Sequence, residues 1–159
     1  MPRNIRRANS SWEAMLTAHA TLMRGFAADG IWREHGLSMR EYDVLYTLAK
    51  CGEPARMGEL QRGVLLSQPA LSRLVDRLEH RGLVTRVLDS DDRRAVRVGL
   101  SPAGAELQRV VGRAHARSVE HAMHALTPEE QRELERLARK LSAERPSPDE
   151  SSGLAPEAS

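Results

Sequence analysis

Residues 67–82 read SQPALSRLVDRLEHRG, and their apolar spacing predicts a helix over about 67–81. At 100° per residue, one stripe collects the apolar side chains Leu71, Leu74, Val75 and Leu78. Polar and basic side chains, Arg73 and Arg77 among them, fall across the opposite side. Ser67 is a suitable N-cap, Pro69 is tolerated in the first turn, and Gly82 can adopt the left-handed conformation that ends a helix. The helix therefore buries one face and leaves a basic face free for a partner.

The residues on either side predict a short helix before this one and a β-hairpin after it. Residues 57–64 (MGELQRGV) form an amphipathic helix, and only Leu65 and Leu66 follow it, so the two helices must cross steeply. Residues 83–88 (LVTRVL) and 95–100 (AVRVGL) are rich in β-formers and are joined by a polar loop, DSDDRR. This order indicates a winged helix-turn-helix over residues 36–100, in a mainly α fold with a small hairpin wing.

Two capping boxes place the helices that precede this unit. Ser10 with Glu13 predicts a helix over about 11–29, after a flexible basic segment at residues 1–10. Ser38 with Glu41 opens the next helix, and residues 30–37 are expected to form a loop. The buried stripe of that second helix is expected to contain Tyr42, Leu45, Leu48 and Ala49.

Two further helices are predicted after the wing. Ser101-Pro102 begins a long helix that reaches about His124, and Thr127-Pro128 begins a last helix that ends near Ala143. Residues 145–159, rich in Pro and Ser, are expected to be a disordered tail. The helical regions 11–30 and 101–144 carry apolar stripes that the winged unit alone cannot cover, which predicts a homodimer formed through them.

Four motifs together resemble the signature of MarR-type transcriptional regulators. They read LLSQPALSRLVDRLE (65–79), RGLVTR (81–86), DSDDRRA (89–95) and LSPAG (100–104). The resemblance covers about residues 11–143. It implies a homodimeric regulator that binds a pseudo-palindromic double-stranded DNA operator, usually as a repressor. Release by a small aromatic or phenolic molecule, or by thiol oxidation, is common in the family.

The resemblance also implies which residues contact DNA. The positions that face the major groove or its flanking phosphates are Ser67, Gln68, Pro69, Ser72, Arg73 and Arg77. Arg86 matches a basic position at the base of the wing. Asp92 and Arg94 match the wing pair in which the acid braces an arginine that enters the minor groove.

Elementary geometry agrees with a DNA-binding helix. A helix about 10–12 Å thick fits a B-DNA major groove about 12 Å wide. Arg73 and Arg77 lie one turn apart, so either can fork onto a guanine while the other holds a phosphate. The alternative is a solvated face with Arg73–Asp76 and Asp76–His80 pairs. A winged unit that binds protein and not DNA is a second alternative.

The composition of the chain limits which other classes of function we expect. The net charge is only +2, but residues 56–97 hold nine Arg against six acids, so the centre of the chain is basic. One cysteine and no long apolar run favour a cytoplasmic protein without membrane contact. Two Trp, two Tyr and one Phe supply too few rings for a single-strand stacking surface. No catalytic or cofactor-binding motif is present, so we expect neither an enzyme nor a bound cofactor or metal.

Three groups of residues offer possible sensing sites. Cys51 ends its helix, where the negative end of the dipole disfavours a thiolate, so a structural role is favoured over redox sensing. His121 and His124, with Glu120 and His115 nearby, suggest a metal-sensing alternative, although the spacing is a weak signal. A planar effector could contact Trp12, Met15, His19 and Tyr46, but such a stripe is more often ordinary core.

Overall fold

The computed structural model describes residues 2–89, 92 and 95–143. Arg94 and the tail expected over 145–159 lie outside them. The elements, in chain order, are α1 (Pro2–Ala27), α2 (Ile31–Glu34), α3 (Met39–Cys51), β1 (Ala55–Arg56), α4 (Met57–Gly63), α5 (Gln68–His80), β2 (Val84–Leu88), β3 (Val96–Leu100), α6 (Pro102–Met123) and α7 (Pro128–Ala143). The chain divides into two compact units, Met1–Val119 and Glu120–Ser159.

The first unit contains the winged helix-turn-helix, and the predicted fold class is confirmed. Its core includes the whole predicted stripe of α5, with Leu71, Val75 and Leu78 fully buried and Leu74 nearly so. Helix α3 contributes Tyr42, Leu45 and Leu48 as expected, but Ala49 is exposed and Val44 is buried instead. The reason is that α3 packs against elements on two sides, α4 and α5 as well as β3, so its buried arc is wider and centred differently.

The wing is an antiparallel sheet in the order β1-β3-β2. Strands β2 and β3 pair from Val84 opposite Leu100 to Leu88 opposite Val96, which is the predicted hairpin. Strand β1 is an addition: Ala55 pairs with Val98, and this two-residue segment ties the start of α4 to the wing. Two residues are too few to show an alternating pattern, so no periodicity indicates a strand there.

The predicted caps are confirmed at several helix ends. Ser38 and Glu41 form the reciprocal capping box of α3, with the Glu41 amide donating to Ser38 Oγ at 3.2 Å and the Ser38 amide donating to Glu41 Oε2 at 2.8 Å. Ser67 caps α5, and Gly82 has a φ of 69°, in the left-handed region. The Ser67 side chain and the left-handed backbone of Gly82 thus mark the two ends of the helix whose basic face is exposed.

Two predictions about the N-terminal region are wrong. Helix α1 already begins at Pro2, so residues 2–10 are helical and not a flexible segment, and it ends at Ala27 rather than 29. Proline suits a first turn, and the Arg, Ala and Ile residues that follow favour helix, so Ser10 lies inside the helix and caps nothing. The loop expected over 30–37 contains the short helix α2, whose Trp32 is buried and donates from Nε1 to the Phe26 carbonyl at 2.5 Å.

The second unit contains the end of α6 and all of α7. Thr127 and Glu130 form the expected cap of α7, since the Thr127 amide donates to Glu130 Oε2 at 2.8 Å and the Glu130 amide donates to Thr127 Oγ1 at 3.3 Å. One side of α7 carries Arg–Glu pairs one turn apart. Its apolar side chains Leu134, Leu137 and Leu141 are 44–67% exposed. Within the described residues of this unit, helix α7 therefore presents an uncovered apolar stripe.

Candidate nucleic-acid interface

Helix α5 holds most of the predicted DNA-contacting residues on one solvent-facing side. Ser67, Gln68, Pro69, Arg73 and Arg77 are exposed, and Ser72 is half-buried. The buried apolar stripe anchors the opposite side, so these side chains can move only by changing rotamer. We call this set, with Ser72 included, the basic face of α5.

The two arginines of this face lack ion-pair partners in the described part of the chain. Among the described residues, neither Arg73 nor Arg77 forms an ion pair, and the Arg73–Asp76 and Asp76–His80 pairs of the alternative interpretation are absent. Their guanidinium groups therefore keep every hydrogen-bond donor for an external acceptor.

Arg86 of β2 instead forms ion pairs with acidic side chains of α5. It donates to Asp76 and to Glu79, and its side chain is 32% exposed. The hydrogen bond with Asp76 is the main cause that raises the pKa of Arg86. Arg86, which the resemblance places at the base of the wing, thus has a role that its position in the sequence did not indicate. It neutralises the two carboxylates that lie beside the basic face.

Asp89 organises the base of the wing, although sequence reasoning placed it only in a loop. Its side chain is fully buried and accepts from Arg56 Nε at 2.6 Å and from Arg97 Nε at 2.8 Å. Asp89 Oδ1 also accepts from the Asp92 amide at 3.3 Å. Two arginines and a backbone amide offset the cost of burying this charge, and together they fix where the hairpin loop leaves the sheet.

Of the predicted wing-tip pair, Asp92 is among the described residues and Arg94 is not. Asp92 is exposed, and its carbonyl accepts from the Ala95 amide at 2.8 Å in a turn. Arg94 lies outside the described residues, so its minor-groove role stays a prediction.

A cavity of about 410 Å³ lies between α3 and α6 and provides a possible effector site. We call it the α3–α6 cavity. Its lining residues are Tyr42, Asp43 and Tyr46 of α3 and Gly112, His115, Ala116 and Val119 of α6. Of the predicted ligand residues only Tyr46 is in this set. The other three, Trp12, Met15 and His19, are exposed on α1.

The polar chemistry of this cavity centres on Asp43 and His115. Burial raises the pKa of Asp43, and the nearby His115 opposes that shift. The His115 ring packs against Phe26, Trp32 and Tyr42, with centroid distances of 5.1, 5.3 and 5.6 Å. Its Nδ1 is buried and has no hydrogen-bond partner among the described residues. This histidine, suggested by the sequence as a neighbour of a metal site, is instead part of an aromatic cluster.

The sensing alternatives gain no supporting geometry in the described part of the chain. Over residues 2–89, 92 and 95–143, no group of three or more His, Cys, Asp and Glu side chains is arranged to hold a metal ion. The rings of His121 and His124 lie 6.4 Å apart. Cys51 is the last residue of α3, as predicted, and it is exposed.

Comparison with known proteins identifies the family of this fold. A family model described as MarR family matches residues 35–95. The uncharacterized HTH-type transcriptional regulator YkoM of Bacillus subtilis is 31% identical over 108 residues, which are 68% of this chain and 70% of YkoM. The chain belongs to the MarR family.

Solved structures of other proteins have the same fold. AbsC, a MarR-family transcriptional regulator from Streptomyces coelicolor, superposes with a TM-score of 0.73 at 27% identity, over 85% of this chain and 91% of AbsC. Bordetella bronchiseptica BpsR, whose DNA binding is regulated by 6-hydroxynicotinic acid, superposes with a TM-score of 0.72 at 22% identity, over 84% and 93%. This MarR-family chain is therefore a transcriptional regulator. In the part that the structure describes, none of its helices is long and apolar enough to cross a bilayer.

Proposed function

We propose that this MarR-family chain binds a pseudo-palindromic DNA duplex as a homodimer and represses transcription in the cytoplasm until a small aromatic or phenolic effector releases it. It acts by binding and not by catalysis. The observation that carries the proposal is the basic face of α5. There Arg73 and Arg77 are exposed and form no ion pair within the described part of the chain, while Arg86 pairs with the nearby Asp76 and Glu79.

The chemistry of this face suits the major groove. Arginine reads guanine by a bidentate contact with O6 and N7, and it binds phosphate in the same forked geometry. Ser67, Gln68 and the free amides of the first turn of α5 suit phosphate or base contacts. The ion pairs of Arg86 with Asp76 and Glu79 hold β2 beside this helix, and Arg94 completes the proposed contact set.

The dimer is proposed from apolar side chains that the single chain leaves exposed. On α1 these are Ile5, Trp12, Met15 and Leu16, at 44–62% exposure, and α7 carries its own leucine stripe. Exposed apolar patches of this kind are covered in oligomers. A two-fold dimer would place two α5 helices in successive major grooves about 34 Å apart.

Effector response is proposed from the α3–α6 cavity, which is large enough for a small aromatic molecule. BpsR, a protein of the same fold, responds to 6-hydroxynicotinic acid. An effector that binds more tightly to one separation of the two α5 helices than to another changes the affinity for the operator.

Selection of bound duplexes from a random pool, followed by fluorescence anisotropy, tests this function. We expect wild-type protein to enrich a two-fold symmetric site, and Arg73→Ala and Arg77→Ala each to weaken binding to it by roughly 1–3 kcal/mol. Arg33→Ala removes an exposed arginine of α2 and is the matched control, which should bind like wild type. Enrichment of no sequence, with tight binding retained by both α5 variants, would refute the proposal.

A further inference from the structure

The α3–α6 cavity has an acidic character that narrows the class of ligand it can hold. Asp43 is the one formally charged carboxylate in its lining, and neither Lys nor Arg lines it. Among the described residues no basic side chain forms an ion pair with Asp43, in contrast to Asp76, Asp89 and the acids of α7. Among residues 2–89, 92 and 95–143, His115 is the basic group that influences it electrostatically.

The negative charge of this half-buried carboxylate has little positive charge near it among the described residues. Burial of the carboxylate removes solvation, which disfavours the charged form and raises the pKa of Asp43. A ligand that brings a positive N–H group to the carboxylate would supply the missing partner, and the interaction would be strengthened by partial exclusion of water. An aromatic carboxylate would instead place two like charges in one small cavity, which costs free energy.

The rest of the lining favours a flat ring. Tyr42 and Tyr46 stack with their centroids 5.9 Å apart and an interplanar angle of 26°. The Lys50 ammonium, which is outside the lining, lies 5.6 Å from the Tyr46 ring centroid. Gly112 keeps the space open opposite Tyr42, since a Cβ atom there would come within 3.1 Å of the Tyr42 hydroxyl.

We propose that the α3–α6 cavity binds a planar aromatic cation, such as a protonated aromatic amidine or nitrogen heterocycle, whose N–H groups donate to the Asp43 carboxylate while its ring packs on Tyr42 and Tyr46. A cavity of about 410 Å³ accommodates a ligand of one or two rings. The regulatory meaning of this site rests on the proposed function above, but the binding itself can be measured without DNA.

Benzamidine and benzoate are matched probes for this proposal, because they share a flat shape and differ in the sign of the charge. Titration calorimetry or ligand-observed NMR on the full chain should show benzamidine binding at least about tenfold more tightly than benzoate. Asp43→Asn should remove this preference. Glu106→Gln, which removes an exposed acid of α6 outside the cavity, is the control for net charge and should leave the preference intact.

A pH series gives a second readout that a merely structural role would not move. Protonation of Asp43 removes its charge, so the affinity of wild-type protein for benzamidine should fall as the pH is lowered through the raised pKa of that carboxyl. Asp43→Asn should show no such fall. His115→Phe keeps an aromatic ring in the cluster and separates the contribution of the histidine, because this variant should retain the pH dependence due to Asp43.

Three results would overturn the proposal: equal or tighter binding of benzoate, no binding of either probe, or a preference that survives Asp43→Asn. Tighter benzoate binding that Lys50→Gln abolishes would assign the site to anions held by Lys50. Operator binding measured without any probe distinguishes failure of this inference from failure of the proposed function. A chain that binds DNA but not benzamidine contradicts only this inference, whereas a chain that binds no duplex contradicts the proposed function.

Discussion

Gly104 shows how tightly single residues set the position of the wing. A Cβ atom at Gly104 would lie 1.9 Å from the carbonyl oxygen of Leu83, which is backbone and cannot rotate away. The same region is fixed by Ser101, whose hydroxyl donates to the Gly82 carbonyl at 2.6 Å and accepts from the Gly104 amide at 3.0 Å. The start of α6 is therefore in direct backbone contact with the segment that enters β2.

Gly104→Ala should lower the free energy of unfolding by about 1–3 kcal/mol, because helix and loop must separate to admit the methyl group. Urea denaturation followed by circular dichroism measures this. Gly58→Ala in α4 is the matched control: nothing lies within 4 Å of its added Cβ, so it should be neutral or slightly stabilising. Equal stability of the two variants would show that the close contact is not maintained.

Residue-scale features divide clearly into those that the sequence could predict and those that it could not. Arg73 and Arg77 were predicted on an exposed face because local periodicity determines which way they point. The Asp89 cluster was missed, since Arg56 is 33 residues away and only the folded sheet brings them together. Asp43 and His115 likewise come together only in the folded chain, where α3 and α6 line one cavity. No local signal marks a pair of residues that lies on two different helices.

At the scale of the element, the α5–β2 contact decides how basic the exposed surface is. Asp76 and Glu79 project from α5, and Arg86 of β2 pairs with both. Exposed pairs of this kind contribute little to stability. Their larger effect is electrostatic, because they keep two negative charges from opposing the approach of phosphates to Arg73 and Arg77.

Arg86→Ala should therefore weaken DNA binding by about fivefold, or on the order of 1 kcal/mol, while the unfolding midpoint changes little. The triple variant Arg86→Ala, Asp76→Asn, Glu79→Gln should recover most of the affinity, since the uncompensated charges are gone. Anisotropy titrations at fixed salt compare the three proteins. Failure of the triple variant to recover would indicate that Arg86 contacts a phosphate directly, as the family resemblance implies.

Elements were predicted well where a cap and a periodic stripe coincide. The bounds of α3, α5 and α7 follow from Ser38, Ser67 and Thr127. Helix α2 and strand β1 are too short to have a measurable period, so their sequences gave no signal. The start of α1 was misplaced because a Ser–Glu capping pattern also occurs inside helices, where ordinary helix propensity continues through it.

At the scale of the whole molecule, the exposed apolar stripes make a testable statement about assembly. Leu137 lies in the middle of the α7 stripe and is 44% exposed, and α1 exposes apolar side chains of its own. The sequence predicted a dimer because these stripes exceed what the winged unit can cover. That statement stays a prediction, since a single chain contains no interface with a second copy.

Leu137→Glu should shift the protein toward monomer, because a carboxylate would be buried without a partner in the proposed interface. Sedimentation equilibrium over a concentration series measures the dissociation constant. Arg132→Gln changes the polar side of the same helix and should leave it unchanged. Wild-type protein that sediments as a monomer at all concentrations would contradict the proposed dimer.

If the basic face of α5 reads bases in duplex DNA, base-by-base affinity measurement should reveal it. Wild-type protein, Arg73→Ala and Arg77→Ala would each be titrated against the selected duplex and all its single-base substitutions at one salt concentration. We expect at least one of these variants to lose about 1–3 kcal/mol of discrimination at one position of each half-site and to keep it elsewhere. Uniform losses across every duplex from both variants would contradict it.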